Sequence, residues 1–411
     1  MALLLIFILL LTSSGCGPTR EAAPAAPIGN SVTNSFSGTA DNNRFAHKKE
    51  NVRLQGRVRP TPGSNQPIDV VDENRASTVE AARLHLSASS EDIDANEREP
   101  QDKSQMDEAS EDIAYILGLD ASNSVSLGGC SNGRLIGAVA LPKAGPGFIH
   151  NPKRPIEARF ATVETIQAII RSAAVVAETF PDAVLVVNDL CLRDGGPIAQ
   201  HGSHQNGRDV DILFYYLDAK GEPVPSVGVP LDPRGWGWDF KDLKIAQDDQ
   251  RLQIDLRRTW RFIAALLETS GDLVQRIFIV EHLRSLLLQE AQRVKAPNDI
   301  RSRFEEVTCQ PSTPHDDHMH VRFFCTADDI QAGCLDDYPI YPRRRSALRQ
   351  VGIDPVLAKV DRRLRQTAKK RTTSPAEAKR RAGPMHARVK RFLDQRESWL
   401  PKPSPGRPFC R

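Results

Sequence analysis

Two short windows of the chain concentrate its histidines. HGSHQNGRDVDI runs from His201 to Ile212 and holds His201, His204, Asp209 and Asp211, while PHDDHMHVRF runs from Pro314 to Phe323 and holds His315, His318 and His320. Five of the ten histidines therefore sit in two windows, and histidine is both the commonest metal ligand and the side chain that titrates near neutrality. Along a strand, residues i and i+2 face the same way, so His318 projects with His320 and Asp209 with Asp211. A catalytic zinc takes three protein ligands from imidazole and carboxylate groups and keeps one position open for water. His204, Asp211 and one of His318 or His320 meet that requirement, which leaves the other histidine for proton transfer. Such donors favour one Zn2+ ion but also accept other divalent cations.

The elements that must position these windows are legible as periodicities. TVETIQAIIRSAAVVAETF (Thr162 to Phe180), LQIDLRRTWRFIAALLET (Leu252 to Thr269) and HLRSLLLQEAQRV (His282 to Val294) space apolar residues as helices do. Trp260 falls on a core position of the second. AVLVVND (Ala183 to Asp189), RDVDILFYY (Arg208 to Tyr216), QRIFIV (Gln275 to Val280) and HMHVRFF (His318 to Phe324) read as strands. The alternation is irregular and lacks a glycine-rich strand-to-helix turn, so the expected fold is α+β with a mainly antiparallel central sheet flanked by helices.

Composition divides the 411 residues into unlike parts. MALLLIFILLLTSS is an apolar run of signal-peptide length, shorter than the ~20 residues a bilayer span needs. SSGC follows, so residues 1–16 read as a signal peptide ending at a lipoprotein processing site, with Cys16 the lipidated residue and the periplasm the destination. No Lys or Arg precedes the run and Ser13 stands where Leu is usual, so a plain signal peptide or a retained hydrophobic N-terminus are the alternatives. Residues 17–107 are polar and acidic with too few apolar groups to offset chain entropy, and read as a disordered tether with at most a short helix at Ser77 to Leu86. A single folded domain is expected over 108–342. Residues 343–411 form a basic, partly helical extension in which 21 Lys plus Arg face 5 Asp plus Glu. Export makes nucleic acid an unsuitable partner for that charge and points instead to anionic wall polymer or lipid headgroups, beside simple solvation.

SHQNGRDVD (Ser203 to Asp211) resembles the S-x-H-x-x-G-x-x-x-D motif of the LAS metallopeptidases in the spacing of His204, Gly207 and Asp211, with Ser203 one place nearer the histidine than the motif has it, and HMH fits their second H-x-H motif. The chain most resembles the penicillin-insensitive murein endopeptidases in LGGCSNGRLIGAVALP (Leu127 to Pro142), HGSHQNGRDVDI, RIFI (Arg276 to Ile279) and DHMHVRFFC (Asp317 to Cys325), a likeness spanning about Ser124 to Asp336. The resemblance implies a single LAS-like domain with zinc on His204, Asp211 and His320. His318 falls on a catalytic histidine, and His315 and His201 on further active-site histidines. The implied reaction is hydrolysis of the D-alanyl to meso-diaminopimelate cross-link of peptidoglycan.

Other residues carry an alternative beside the functional role. Asp209 is either a partner behind a ligand histidine or a strand cap. Arg322 either reaches a substrate carboxylate or is structural. Trp236 and Trp238, in GWGWDF, line a substrate groove or pack under a loop, and Asp316 and Asp317 read as solvated turn residues. Apart from Cys16, six cysteines suit an oxidising compartment and allow 15 pairings. The resemblance favours Cys325 with Cys334 and Cys130 with Cys410, leaving Cys191 with Cys309, against free thiols. Two other functions fit the same residues: a noncatalytic zinc-stabilised lipoprotein that binds the wall, and a D,D-carboxypeptidase or dipeptidase of the same family.

Overall fold

Strands that alternate apolar and polar residues pair into a seven-stranded sheet in the computed structural model, which describes residues 103–311, 315–358, 375–399 and 410. The expected signal segment with Cys16, the helix at Ser77 to Leu86 and nearly all of the tether lie outside the described residues. The strands are β1 (Ala144–Gly145), β2 (Phe148–His150), β3 (Leu185–Val187), β4 (Asp209–Leu213), β5 (Val274–Phe278), β6 (Thr308–Cys309) and β7 (His318–Phe323), in the spatial order β6-β5-β7-β4-β3-β2-β1. Pairs β5–β6 and β2–β3 are parallel and the other four antiparallel, so the sheet is mixed with an antiparallel majority.

Helices α1 (Lys103–Gly118), α2 (Val163–Thr179), α3 (Leu256–Thr269), α4 (Glu281–Arg293) and α5 (Asn298–Val307) supply the remaining core of this part. Helix α2 buries Ile166, Ile169, Ile170, Ala173 and Val176, the 3–4 spacing of a single face, and packs on α3. In α3, Trp260, Ile263 and Leu267 are buried. Its start differs from the periodicity reading: Arg251–Ile254 alternates exposed and buried residues as a strand, and Asp255 caps the helix by accepting from Arg258 N. That strand joins Tyr216–Leu217, Pro223–Val224 and Trp236–Trp238 in a small antiparallel sheet beside the main one.

The expected domain edges do not coincide with edges of packing. Helix α1 begins at Lys103, inside the stretch read as tether. Helix α6 is Ala327–Ala332, and three more helices follow in the basic extension: α7 (Pro342–Gln350), α8 (Pro375–Ala382) and α9 (Ala387–Trp399). Leu348 of α7 joins a cluster with Cys325, Ile330 and Cys334, and Val389, Phe392 and Leu393 of α9 form another with Phe240 and Leu243. The basic extension is thus docked through an apolar face that its charge count conceals. Among the described residues no helix is long and apolar enough to cross a membrane.

The cysteines pair as Cys325–Cys334 and Cys309–Cys410. The first agrees with expectation; Cys130 with Cys410 and Cys191 with Cys309 do not form. Cys410 instead meets the edge strand β6, where its N–H also donates to Gln310 O at 2.9 Å. Cys130 is buried with its thiol donating to Asp337 Oδ2 at 3.0 Å, and Cys191 is buried where it bridges Phe160.

Candidate metal centre

Strand pairing accounts for half of the centre. In the β7–β4 register His320 lies opposite Asp211 and Arg322 opposite Asp209, while Met319, Val321, Val210 and Ile212 are buried as alternation requires. A one-residue slip would turn the histidines into the apolar layer, so the core fixes the site's register.

The loop before β4 brings in the remaining ring. His204 sits at φ 64° and Gly207 at φ 80°, left-handed turns that fold the chain back before Asp209. A Cβ on Gly207 would come 3.0 Å from Thr162 N and press on the end of the Leu135 side chain, so φ, more than space, favours glycine there. The loop is locked by His204 N donating to Asp209 Oδ2 at 3.1 Å.

Each of four imidazoles spends one nitrogen on an acceptor and turns the other toward Asp211. His204 Nδ1 donates to Leu190 O at 2.7 Å, leaving Nε2 3.3 Å from Asp211 Oδ1. His320 Nε2 donates to Asp209 Oδ1 at 2.8 Å, leaving Nδ1 3.3 Å from the same Asp211 oxygen and 3.4 Å from His204 Nε2. His318 Nδ1 bonds Asp317 Oδ1 at 2.7 Å with Nε2 3.6 Å from Asp211 Oδ1, and His201 Nε2 bonds Asp189 Oδ2 at 2.8 Å with Nδ1 3.6 Å from Asp211 Oδ2. Carbonyl and carboxylate oxygens only accept, so in a neutral ring the nitrogen facing them carries the proton. The lone pairs of His204 and His320 therefore point at each other and at a carboxylate, an arrangement that a cation relieves. Asp211 Oδ1 is buried and accepts no hydrogen bond, so these residues could hold such a cation.

Two sets of donors compete for that ion. His201, His204 and Asp211 each offer an atom within 4.8 Å of the others. His204, Asp211 and His320 form the tighter triangle, with edges of 3.3, 3.3 and 3.4 Å. Both sets share His204 and Asp211.

Charge and burial separate a rear from a front. His204, Asp211, His320 and Asp209 are buried, whereas His201, His315 and His318 are half-buried. Burial alone would raise the Asp211 carboxyl, yet His204 and His318 hold it well below the usual carboxylate range. Burial likewise works against Asp209, and the charges of Arg322 and His320 outweigh it. For His318 burial favours the neutral ring, but the carboxylates of Asp317 and Asp211 prevail and raise it to about 9. Burial, reinforced by His204, pushes His201 down to about 3. His315, at φ 50°, sets its ring centroid 4.8 Å from that of His318, tilted, and 5.8 Å from that of His320, edge-on.

Several residues that carried two readings have partners within the fold. Arg322 Nε donates to Asp209 Oδ1 and Nη1 to Asp337 Oδ2, each at 2.7 Å, so it holds the carboxylate that holds His320. Trp236 and Trp238 are engaged beneath arginines, Arg251 at 4.1 Å and Arg388 at 4.0 Å from the ring centroids, and Trp238 packs with α9 rather than lining a groove. Asp316 and Asp317 are buried, not solvated. Asp189, also bonded to Arg154, and Arg396, paired with Asp316, belong to the centre although no local motif marks them. An open cleft of about 540 Å³ lined by Asn132, Arg134, Asp194 and Gln205 adjoins the His204 loop.

His150, at the end of β2, is buried outside this cluster with Nε2 unbonded, and burial, then the charges of Arg159 and Arg154, lowers it to about 4. The unfolded chain takes up a proton on this ring below the ordinary 6.5 while the folded protein does not until about 4. Stability is thus expected to fall as pH drops from 6.5 to 4, and His150→Gln to make that fall shallower in thermal melts. Identical pH profiles for the two proteins would refute the assignment.

The family model described as penicillin-insensitive murein endopeptidase matches residues 126–377, more than half of the chain and further into the basic extension than the motifs alone reach. Penicillin-insensitive murein endopeptidases of Yersinia enterocolitica and Klebsiella pneumoniae are 25% and 27% identical over 218 and 231 residues, covering 53% of this chain and 71% and 72% of their own. That of Haemophilus influenzae is 29% identical over 205 residues, 49% of this chain and 64% of its own. With a match of that extent over the strands and loop that gather the histidines, the chain belongs to the penicillin-insensitive murein endopeptidase family.

Proposed function

We propose that the chain is a zinc-dependent D,D-endopeptidase that hydrolyses the D-alanyl to meso-diaminopimelate cross-link of peptidoglycan, with His204, Asp211 and His320 as the metal ligands. The observation that carries this reading is the triangle of donors around the unbonded Asp211 Oδ1. For ligands about 2.0–2.1 Å from a tetrahedral zinc, neighbouring donors lie roughly 3.3 Å apart, which matches the three edges. The expected partners behind the ligands are also present, with Leu190 O on His204 and Asp209 on His320. His201 has its outer nitrogen farther away, at 3.6 Å from Asp211, and is better suited to the substrate side.

When bound, zinc supplies Lewis acidity toward the scissile carbonyl and lowers the pKa of water to about 7. His318 takes the proton of the attacking water on Nε2 and returns it to the leaving amine, while Asp317 on Nδ1 fixes the tautomer. The high pKa of His318 is set by Asp317 and Asp211 against burial. A dication held by Asp211 would offset that carboxylate and bring His318 down toward the range in which a base works. His315 steadies the oxyanion or orients His318, and His201, kept neutral and held by Asp189, offers a nitrogen to the substrate. The same reading places the enzyme in the periplasm, tethered through lipidated Cys16.

Mass spectrometry of muropeptides after digestion of sacculi tests this. Cross-linked dimers are expected to become monomers with terminal D-Ala retained, with activity lost to a chelator and restored by Zn2+. Release of terminal D-Ala with dimers intact would mark a carboxypeptidase instead, and metal binding with no cleavage at all a wall-binding protein.

A further inference from the structure

We propose that α9 completes the catalytic centre, with Arg396 a positioning residue that acts through Asp316 on the adjoining Asp317 and His318. The proposal rests on the endopeptidase reading for its catalytic consequence, and on geometry alone for the coupling. Helix α9 lies beyond residue 377, where the family match ends, so nothing in that match assigns it a role.

The face that α9 buries is Val389, Phe392, Leu393 and Arg396, one 3–4 stripe in which the last position is a guanidinium. The three apolar residues pack with Phe240 and Leu243, and the stripe runs on to the site. There Arg396 Nε donates to Asp316 Oδ2 at 2.8 Å and Nη2 to Asp316 Oδ1 at 2.6 Å. Arg396 is 2% and Asp316 0% exposed. Two parallel charge-assisted bonds fix the carboxylate in orientation as well as place. Asp316 O also accepts from Leu231 N at 2.9 Å, so the residue is held at both its side chain and its backbone.

One peptide bond separates this anchored residue from Asp317, whose carboxylate bonds His318 Nδ1 at 2.7 Å. Arg396 therefore sets the end from which the His318 tautomer is held, and it neutralises a second buried carboxylate that would otherwise add its charge beside Asp317. The extension grips the same region again before it: Cys410 is bonded to Cys309 and donates to Gln310 O. Gln310 and Asp316 are thus both tied to the C-terminal extension, and the residues leading into β7 are placed by it.

The test uses the full-length zinc-loaded protein with Arg396→Gln, Asp316→Asn, the double variant and Arg396→Lys. Arg396→Gln is expected to lower kcat on a cross-linked muropeptide dimer by about 10- to 100-fold, the scale of a small misplacement of a catalytic group, with KM and zinc content unchanged. The double variant should be no worse than the poorer single one, because both substitutions break the same link. Arg396→Lys should recover part of the loss, since it keeps the charge without the two-pronged fork. In parallel, the downfield His318 Nδ1–H proton resonance should be present in the wild type and broadened or lost in Arg396→Gln. If Arg396→Gln does not fold, the double variant, which leaves no unpaired charge, carries the same resonance measurement. Wild-type kcat and an unchanged resonance beside a lowered melting temperature would overturn the proposal, as would additive losses in the double variant. If the wild type fails to cleave the dimer, the endopeptidase reading falls, and the resonance alone decides whether Arg396 positions His318.

Discussion

His318→Ala is expected to lower kcat on cross-linked muropeptides by about 10²- to 10⁴-fold, the usual contribution of a positioned acid–base group, while zinc content and melting temperature stay near wild type. The division of the centre into rear and front is the reason. His318 is half-buried, its bonded nitrogen faces Asp317, and its free nitrogen stands 3.6 Å from Asp211, outside the 3.3–3.4 Å triangle. Removing it leaves the triangle whole. Asp211→Asn and His320→Ala are expected to lose zinc and activity together, because the first removes the anionic charge of the triangle and the second an imidazole donor. The pair of measurements discriminates: loss of zinc in His318→Ala would make it a ligand, and unchanged turnover would remove it as the base.

Much of this centre was legible because a period-2 pattern is a local property. HMHVRF announces both a strand and the face that carries its histidines, and β7 spans His318–Phe323. The register between β7 and β4 is not local: that His320 stands opposite Asp211, and Arg322 opposite Asp209, depends on pairing segments about a hundred residues apart. Arg322 could therefore be read as a substrate arginine when its fork is already filled by Asp209 and Asp337. Asp189 precedes His201 by 12 residues with no motif around it, and only the fold brings the two within 2.8 Å. Arg396 was hidden by composition, since a segment so rich in arginine reads as solvated until the spacing of Val389, Phe392 and Leu393 is weighed against the charge. Cysteine pairing failed for the same reason as register. Cys309 sits on an edge strand that the sequence pattern did not reveal, and that edge is where Cys410 arrives.

The largest stability effect is expected at Arg208, which the S-x-H-x-x-G-x-x-x-D spacing leaves as an unspecified position. Its side chain is 1% exposed and crosses beneath the site. Nη1 donates to Phe323 O at 2.8 Å and Asp336 Oδ1 at 2.9 Å, Nη2 to Leu335 O at 3.0 Å, and Nε to Ser126 Oγ at 3.2 Å. It thereby fastens β4 to the end of β7 and to the segment after the Cys325–Cys334 loop. Arg208→Met removes one member of a buried pair and leaves the other uncompensated, at a cost of about 3–5 kcal/mol. For a domain of this size that is roughly 10 °C in melting temperature. Arg208→Met combined with Asp336→Asn should be less destabilised than Arg208→Met alone, because no buried charge then lacks a partner. The side-chain amide oxygen introduced in the double variant can still accept from Cys325 N, as Asp336 Oδ1 does in the wild type. Burial already raises the Asp336 carboxyl, and Arg208 opposes that rise. Without the guanidinium the folded state holds its proton to higher pH than the unfolded chain does, so the penalty should grow as pH rises and shrink toward acid. Urea unfolding of the wild type, the single variant and the double variant, each followed from acid to mildly alkaline pH, measures all of this. Equal losses in the single and double variants, or a penalty indifferent to pH, would show that Arg208 acts only by filling space.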